Sequence, residues 1–326
     1  MIPARDEAAT IGVAIASLAG QDYPGPFHIF LVDDHSSDGT AEAARAAAGP
    51  DRLTVLVAPP LPPGWSGKLW ALARGVAEAT PRNPAYLLFT DADIVHAPGS
   101  LSRLVAHALA GGFHLVSLMV RLHCRSFVEK ALIPAFVFFF FLLYPPAWTA
   151  DPRKRTAGAA GGCLLIRRDA LERMGGIAAI RGEWIDDCAL AARVKQRGGR
   201  LWLGLGADTY SLRAYAGFAA IGSMISRTAF TQLRYSPWLL AGTVAGMLVT
   251  YVLPPLAVAT AAGAAAWLLM MLAYTPTLRY YGRSLLWAPC LPLVSLFYTA
   301  ATLHSAVEHR RGRGGAWKGR VRGSTA

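Results

Sequence analysis

Four places in this sequence put acid, or a lone lysine, where chemistry can be done. "LVDDHSSDGT" (residues 31–40) ends an apolar run in two adjacent carboxylates, Asp33 and Asp34, ahead of a serine- and glycine-rich turn. "LLFTDADIVHAP" sets Asp91 and Asp93 one small residue apart behind another apolar run. "PPLPPGWSGKLWAL" carries Lys68 just past Ser66 and Gly67, and "GEWIDDCALAARVKQRGG" sets Asp186 and Asp187 ahead of Leu190, Ala191 and Val194. Carboxylates hold hydroxyls, N–H donors or hard cations, and a lysine at a helix start holds an anion.

Each motif also has a plainer reading. Capping by Ser37 or Asp38 explains the turn after Asp34, but not the acid pair before it. A carboxylate there suits a ribose hydroxyl or a base N–H of a nucleotide. Asp91 and Asp93 are hard oxygen ligands for Mg²⁺ or Mn²⁺, which would bridge nucleotide phosphates and neutralise a departing diphosphate. His96 is a further candidate ligand, although its turn position suits a solvent-facing side chain better. Lys68 is either an anion site at the mouth of a helix or an ordinary surface lysine. One of Asp186 and Asp187 is accounted for by the helix dipole; the second suits a base that takes a proton from an acceptor hydroxyl.

The elements that must position these groups alternate along the chain. Helices are expected over 7–19 (with Ile11, Ile15 and Leu18 on one side), 40–48 and 67–79, and strands over 28–32, 53–58 and 85–90. Such alternation predicts an α/β domain with a mostly parallel sheet and helices on both faces. Ligands bind beyond the carboxyl ends of such strands, which is where Asp33, Asp34, Asp91 and Asp93 fall. Ile2 reads as the last residue of an apolar strand, so the first strand is expected to be truncated at Met1.

Composition bounds the rest. A hydrophobic fraction of 54% in 326 residues is high for a soluble enzyme, and the mean hydropathy is positive. Residues 238–273 and 285–304 are nearly free of charge and long enough to cross a bilayer. The net charge of +12 would suit nucleic acid, but Arg213, Arg227 and Arg234 precede the first span, and Arg310, Arg311, Arg313, Lys318, Arg320 and Arg322 follow the last. That is the pattern of cytoplasmic flanks on anionic lipid, and it argues against a nucleic-acid partner. Cys124, Cys163, Cys188 and Cys290 have neither metal spacing nor a disulfide framework.

Taken in order, "PARDEA", "VDDHSSDGT", the "GK" with "AL" after it, "DAD", "GGCLLIRRDALERMGGI" and "IDDCAL" resemble the family 2 glycosyltransferases of the GT-A fold, over residues 1 to about 205. The wording of "PLPPGWSGKLWA", the phenylalanine-rich 136–141 segment, "TQLRYSP" and "GGAWKGR" is similar to the hopene-associated glycosyltransferases of hopanoid-producing bacteria. The resemblance implies that Pro3, Ala4, Arg5, Glu7 and Asp34 line a nucleotide site, with Asp91 the nucleotide-side member of the D-x-D. It implies that Lys68 meets the diphosphate, that Asp93 (with Asp91) holds Mg²⁺ or Mn²⁺, and that Asp187, beside Asp186, is the base. Gln232, Arg234 and Tyr235 stand where processive synthases carry Q-x-x-R-W, on the acceptor and membrane side. Their altered spacing argues for a single transfer. The family's Glu-Asp pair is Asp186-Asp187 here, with a shorter first arm.

The expected protein is therefore an inverting, metal-dependent glycosyltransferase at the bacterial cytoplasmic (inner) membrane, multi-pass, with its catalytic domain in the cytosol. Its donor would be a nucleotide sugar, a UDP-sugar first, and its acceptor a membrane lipid related to hopanoids. A polyprenyl-phosphate glycosyltransferase and a non-catalytic lipid-binding or assembly protein are the alternatives. The expected divisions are a catalytic domain over 1–212, an interfacial amphipathic segment over 213–236, transmembrane helices over 237–304 and a basic cytosolic tail over 305–326. Residues 131–148 separate Asp93 from Asp187, which must share one cleft, so that segment is expected to lie in the interface or re-enter. Keeping the tail in the cytosol requires an even number of crossings, met if 238–273 crosses once with a kinked, partly interfacial end and the loop carrying Arg279 and Arg283 lies outside.

Overall fold

A computed structural model describes residues 1–312 and, as backbone only, the short strands at 316–317 and 320–321. The tail arginines and Lys318 beyond residue 312, and "GGAWKGR", lie outside the residues whose side chains are described. The chain forms two compact units: Met1–Leu122 with Tyr144–Arg213, and His123–Leu143 with Ala214–Ala316.

The first unit opens as β1 (Ile2–Ala4), α1 (Ala8–Ala19), β2 (Ile29–Asp33), α2 (Thr40–Ala47), β3 (Leu53–Val57), α3 (Gly67–Ala79), β4 (Tyr86–Thr90), β5 (Ile94–His96), α4 (Ser100–Gly111) and β6 (Leu115–Arg121). The chain then leaves for α5 (Phe127–Leu143) and returns as α6 (Pro146–Ala150), β7 (Cys163–Arg167), α7 (Arg168–Arg173), α8 (Asp186–Gln196) and β8 (Leu201–Ser211). β2 is buried throughout, and α1 buries Ile11, Ala14, Ile15 and Leu18 against it. On the other face, Leu69 and Leu72 of α3 pack with Leu164 and Ile166 of β7 and with Leu190 and Val194 of α8.

The sheet is parallel only in part. β1, β2 and β3 pair in parallel, with Ala4 opposite Asp33 and Asp33 opposite Val57. Met1 N donates to Leu88 O at 2.8 Å and Thr90 N to Met1 O at 3.2 Å, which carries the hydrogen bonding on to β4. Beyond it, β4–β7, β7–β6 and β8–β5 are antiparallel, and only β6–β8 is parallel. The expected mostly parallel sheet is thus mixed. Only Asp91, Ala92 and Asp93 separate β4 from β5, and these two strands pair with different partners, β7 and β8.

The second unit is helical: α5, α9 (Gly217–Gln232), α10 (Pro237–Met247), α11 (Leu253–Leu256), α12 (Ala261–Tyr280) and α13 (Leu291–Arg310). Among the described residues, four stretches are long and apolar enough to cross a membrane: Phe127–Ala150, Pro237–Leu256, Ala261–Tyr280 and Leu285–Arg310. The single kinked helix expected over 238–273 is two helices. The break falls at residues 257–260, where Thr260 caps α12 by accepting from Gly263 N at 3.0 Å. Arg279 lies in α12 itself, and helix continues to Arg310 through the start of the expected tail.

The phenylalanine run of α5 turns partly inward. Phe138 meets Tyr274 at 5.3 Å between ring centroids, and Phe139 meets Tyr251 at 5.5 Å and Tyr298 at 4.9 Å. Tyr298 donates to Leu132 O at 2.8 Å. The face of α9 expected against lipid is also partly internal: Ile221 and Ile225 are buried and Phe230 N donates to Ser305 Oγ of α13 at 3.0 Å, while Phe218 stays exposed.

α5 begins with a reciprocal cap. Glu129 N donates to Ser126 Oγ at 3.2 Å, and Glu129 Oε2 accepts from Ser126 N at 2.9 Å and Arg125 N at 3.0 Å. Oε1 accepts from Tyr215 N at 2.8 Å and lies 2.7 Å from His123 Nδ1. Removing a carboxylate that is 1% exposed strands these donors. Glu129→Ala should cost about 3 kcal/mol, read as a fall in thermal stability in detergent. A fall no larger than that of Arg125→Ala would show the cap to be dispensable.

Candidate active site

The residues expected on the nucleotide side lie on two interlocked loops, one after β1 and one after β2. Asp34 N donates to Ala4 O at 2.8 Å, Asp6 N to Ser36 Oγ at 2.9 Å, Ser37 N to Asp6 Oδ1 at 2.9 Å, and Glu7 N to Thr40 Oγ1 at 2.8 Å. Asp33 and Asp38 serve the loop: Asp33 Oδ1 accepts from the Ser36 backbone and hydroxyl, and Asp38 Oδ2 accepts from Ala8 N at 2.9 Å. Gly39, at φ 87°, opens α2 in the left-handed region that favours glycine. Asp34 meets a different partner, Arg5. It is 1% exposed, its Oδ2 lies 3.6 Å from an Arg5 guanidinium nitrogen, and Arg5 Nη1 also donates to Asp34 O at 2.5 Å.

The second group gathers around Lys68. Ser66 caps α3 by accepting from Leu69 N at 3.3 Å, which sets Lys68 in the first turn. Its Nζ lies 3.1 Å from Asp91 Oδ1 and 3.2 Å from Asp186 Oδ2. Burial works against the charge on this ammonium, but Asp186, Asp91 and Asp187 outweigh it and hold Lys68 above the ordinary lysine value. Asp186 and Asp187 open α8, and Asp187 Oδ1 accepts from Cys188 N at 2.7 Å. Burial, then repulsion from Asp186, pushes Asp187 up to about 6, against the pull of Lys68. Burial also raises Asp91, with Lys68 opposing. Lys68, Asp91, Asp186 and Asp187 line one pocket, with Pro3, Thr90 and Gly161 among its other walls.

The D-x-D turn sends its two carboxylates to different partners. Asp93, 6% exposed, accepts from Ser211 Oγ at 2.5 Å, and its Oδ2 lies 3.5 Å from Arg213 Nε. Arg213 Nη2 donates to Glu7 Oε1 at 2.5 Å. His96 is not solvent-facing: it is buried on β5 with Nε2 2.9 Å from Thr90 Oγ1, and burial pushes its ring down to about 4. No group of three or more His, Cys, Asp or Glu side chains among the described residues is arranged to take a metal. Asp91 and Asp93 nonetheless fit a Mg²⁺-like ion that keeps most ligands from a phosphorylated substrate, since such ions need only one or two protein carboxylates.

Pro3, Ala4, Arg5, Glu7, Asp34, Lys68, Asp91, Asp93, Asp186 and Asp187 all belong to the first unit. Gln232, Arg234 and Tyr235 belong to the second, at the end of α9 and in the turn after it, where Arg234 and Tyr235 have φ of 51° and 56°. Tyr235 stacks on His309 with centroids 4.2 Å apart. Two residues escaped the sequence reading. Arg213, expected as a membrane flank, reaches into the site. Gly161 sits where a Cβ would stand 3.3 Å from both Lys68 Nζ and Asp187 Oδ2. The run "AGAAGG" before β7 was the available signal for the glycine; nothing local marked the arginine.

The profile described as "Glycosyl transferase family 2" matches residues 1–175. Among solved structures, a mycobacterial protein is similar at 23% identity, covering 71% of this chain and 72% of that one with a TM-score of 0.47. S. aureus TarS is similar at 16% identity and a TM-score of 0.47 over 70% of this chain, which spans 39% of TarS. Glucosyl-3-phosphoglycerate synthase from Mycobacterium tuberculosis, solved with Mn²⁺, UDP-glucose and glycerol 3-phosphate, is similar at 20% identity and a TM-score of 0.42, covering 71% of this chain and 78% of that one. No curated protein matches the chain.

The pocket geometry makes Gly161 a sensitive probe. Gly161→Ala should displace Lys68 and Asp187 by a few tenths of an ångström and lower glycosyl transfer about 10- to 100-fold with little change in melting temperature. Full activity in this variant would show that the cluster tolerates misplacement.

Proposed function

Because the chain belongs to glycosyl transferase family 2 and has the GT-A fold, it is a glycosyltransferase, and we propose that it is an inverting, metal-dependent one. It moves a sugar from a nucleotide sugar, a UDP-sugar first, to a lipid acceptor. The observation that carries this reading is the packing of Lys68, Asp91, Asp186 and Asp187 around one pocket.

Asp187 takes the proton of the acceptor hydroxyl. A carboxylate raised to about 6 is mostly ionised at neutral pH, yet more basic than an exposed one. Asp186 is tied to Lys68 and holds the ammonium in place. Lys68 faces the diphosphate, and Asp34 with Arg5 holds the nucleoside. A divalent cation held by Asp91 and Asp93 would supply charge neutralisation to the leaving diphosphate. Exposed Trp238, Leu256, Leu286 and Leu293 on the apolar helices support a membrane location, with the catalytic unit in the cytosol, where nucleotide sugars are found. The hopanoid-related acceptor rests on the sequence wording alone.

Asp187→Asn keeps the shape and removes the base, so transfer to a hydroxyl acceptor should fall roughly 10²–10⁴-fold. Donor binding and melting temperature at pH 8 should hold, since the ionised form of a carboxyl with a raised pKa is the form that folding disfavours. Transfer undiminished in this variant would favour the polyprenyl-phosphate reading, in which the acceptor is already anionic.

The pH profile follows from the same group. Below about 6 Asp187 is protonated and cannot accept a proton, so the rate should fall as pH drops through that value and level off above it. A rate flat from pH 5 to 8 would remove Asp187 from the role. Excess EDTA should abolish transfer and Mg²⁺ or Mn²⁺ restore it; full turnover in EDTA would sink the metal-dependent reading.

A further inference from the structure

The two D-x-D carboxylates do not share a counter-ion. Asp91 is paired with Lys68, whereas Asp93 is held from the end of β8. Arg213 is built into that place. Leu212 N donates to Asp93 O at 2.9 Å, Arg213 N donates to Ser211 Oγ at 3.1 Å, and Ile94 lies opposite Ser211 in the β5–β8 ladder. The guanidinium therefore spans two acids from different loops, Asp93 after β4 and Glu7 after β1.

We propose that Arg213 is the resident cation of Asp93, and that a divalent cation binds there only by displacing the guanidinium from Asp93 Oδ2 onto Glu7. This rests on the reading of Asp93 as a metal ligand given above. A nearly buried carboxylate keeps its charge only beside a cation or a set of donors. Two cations on one carboxylate oxygen repel each other at close range, so the metal and Arg213 compete. The arginine side chain is 40% exposed, which gives it room to shift. Glu7, whose side chain is 11% exposed, gives it an acid to remain on. The free enzyme then holds metal weakly. Donor phosphates, by adding negative charge, tip the contest toward the metal, so cation and nucleotide sugar load together.

The test is Mn²⁺ binding to the full-length protein in detergent without nucleotide, read from the electron paramagnetic resonance signal of free Mn²⁺. Arg213→Gln should tighten binding about tenfold, and Arg213→Lys, which keeps the charge, should stay near wild type. Equal or weaker binding by Arg213→Gln overturns the proposal and leaves the metal-dependent reading standing. No saturable binding by any of the proteins, Arg213→Gln included, also overturns the proposal and leaves the metal-dependent reading to the EDTA test. A measurement on the unsubstituted chain removes dependence on how the variants fold. Mn²⁺ should speed phenylglyoxal labelling of Arg213, followed by peptide mass spectrometry, and an unchanged rate overturns the proposal.

Discussion

The site depends on one constraint: carboxylates taken out of water must be met by cations or donors. Lys68 is the centre of that arrangement. Its ammonium sits within 3.2 Å of carboxylate oxygens from the turn after β4 and from the first turn of α8. These segments lie far apart in sequence, and the lysine makes one cluster of them. Arg5 does the same work for Asp34, and Arg213 for Asp93 and Glu7. Asp34, Asp91, Asp93 and Asp186 are thus each attached to a particular cation.

Strand ends deliver these groups because the sheet brings them to one edge. Ala4 and Asp33 are opposite one another in the parallel ladder, so the loops that follow them must meet. They do so through hydrogen bonds that use Asp6, Asp33, Ser36, Asp38 and Thr40 for loop structure. That division of labour explains the doubled acid at the end of β2: Asp33 braces its own turn and Asp34 faces Arg5. After β4, a three-residue link presents Asp91 to α3 and Asp93 to β8, because β4 pairs with β7 and β5 with β8.

Much of this was legible. The elements up to β4 were readable to within a residue or two, because a core strand is an unbroken apolar run and Ser66 is a strong helix cap. Asp34, Lys68, Asp91, Asp93, Asp186 and Asp187 stood out because acid or lysine at a strand or helix end has a small set of uses. Long-range antiparallel pairing was hidden. Nothing near Arg213 shows that β8 will lie beside β5, so its position before an apolar segment suggested lipid instead. His96 was misjudged for the same reason: its burial comes from Thr90 and the neighbouring strands, not from its own turn. In the helical unit, the apolar run over 238–273 carries no charge to mark a division, and the break is set by Thr260, which caps α12.

The charge balance carries the argument one step further. Glu7, Asp34, Asp91, Asp93, Asp186 and Asp187 are set against Arg5, Lys68 and Arg213, so among these named groups acid outnumbers base two to one. Part of the excess is absorbed by backbone N–H donors, as at Asp187, and part by the upward shift of Asp187 and Asp91. A nucleoside diphosphate brings further negative charge to the same edge of the sheet. The +12 carried by the whole chain does not help it much, since exposed charges beyond about 10 Å are screened at moderate salt. A donor entering such a cluster needs additional positive charge at close range, and a divalent cation on Asp91 and Asp93, as proposed above, would supply it. With all six acids ionised, one divalent cation would bring the named groups only from −3 to −1, so a diphosphate would be held there by close contact with the metal and Lys68 rather than by the net charge of the cluster.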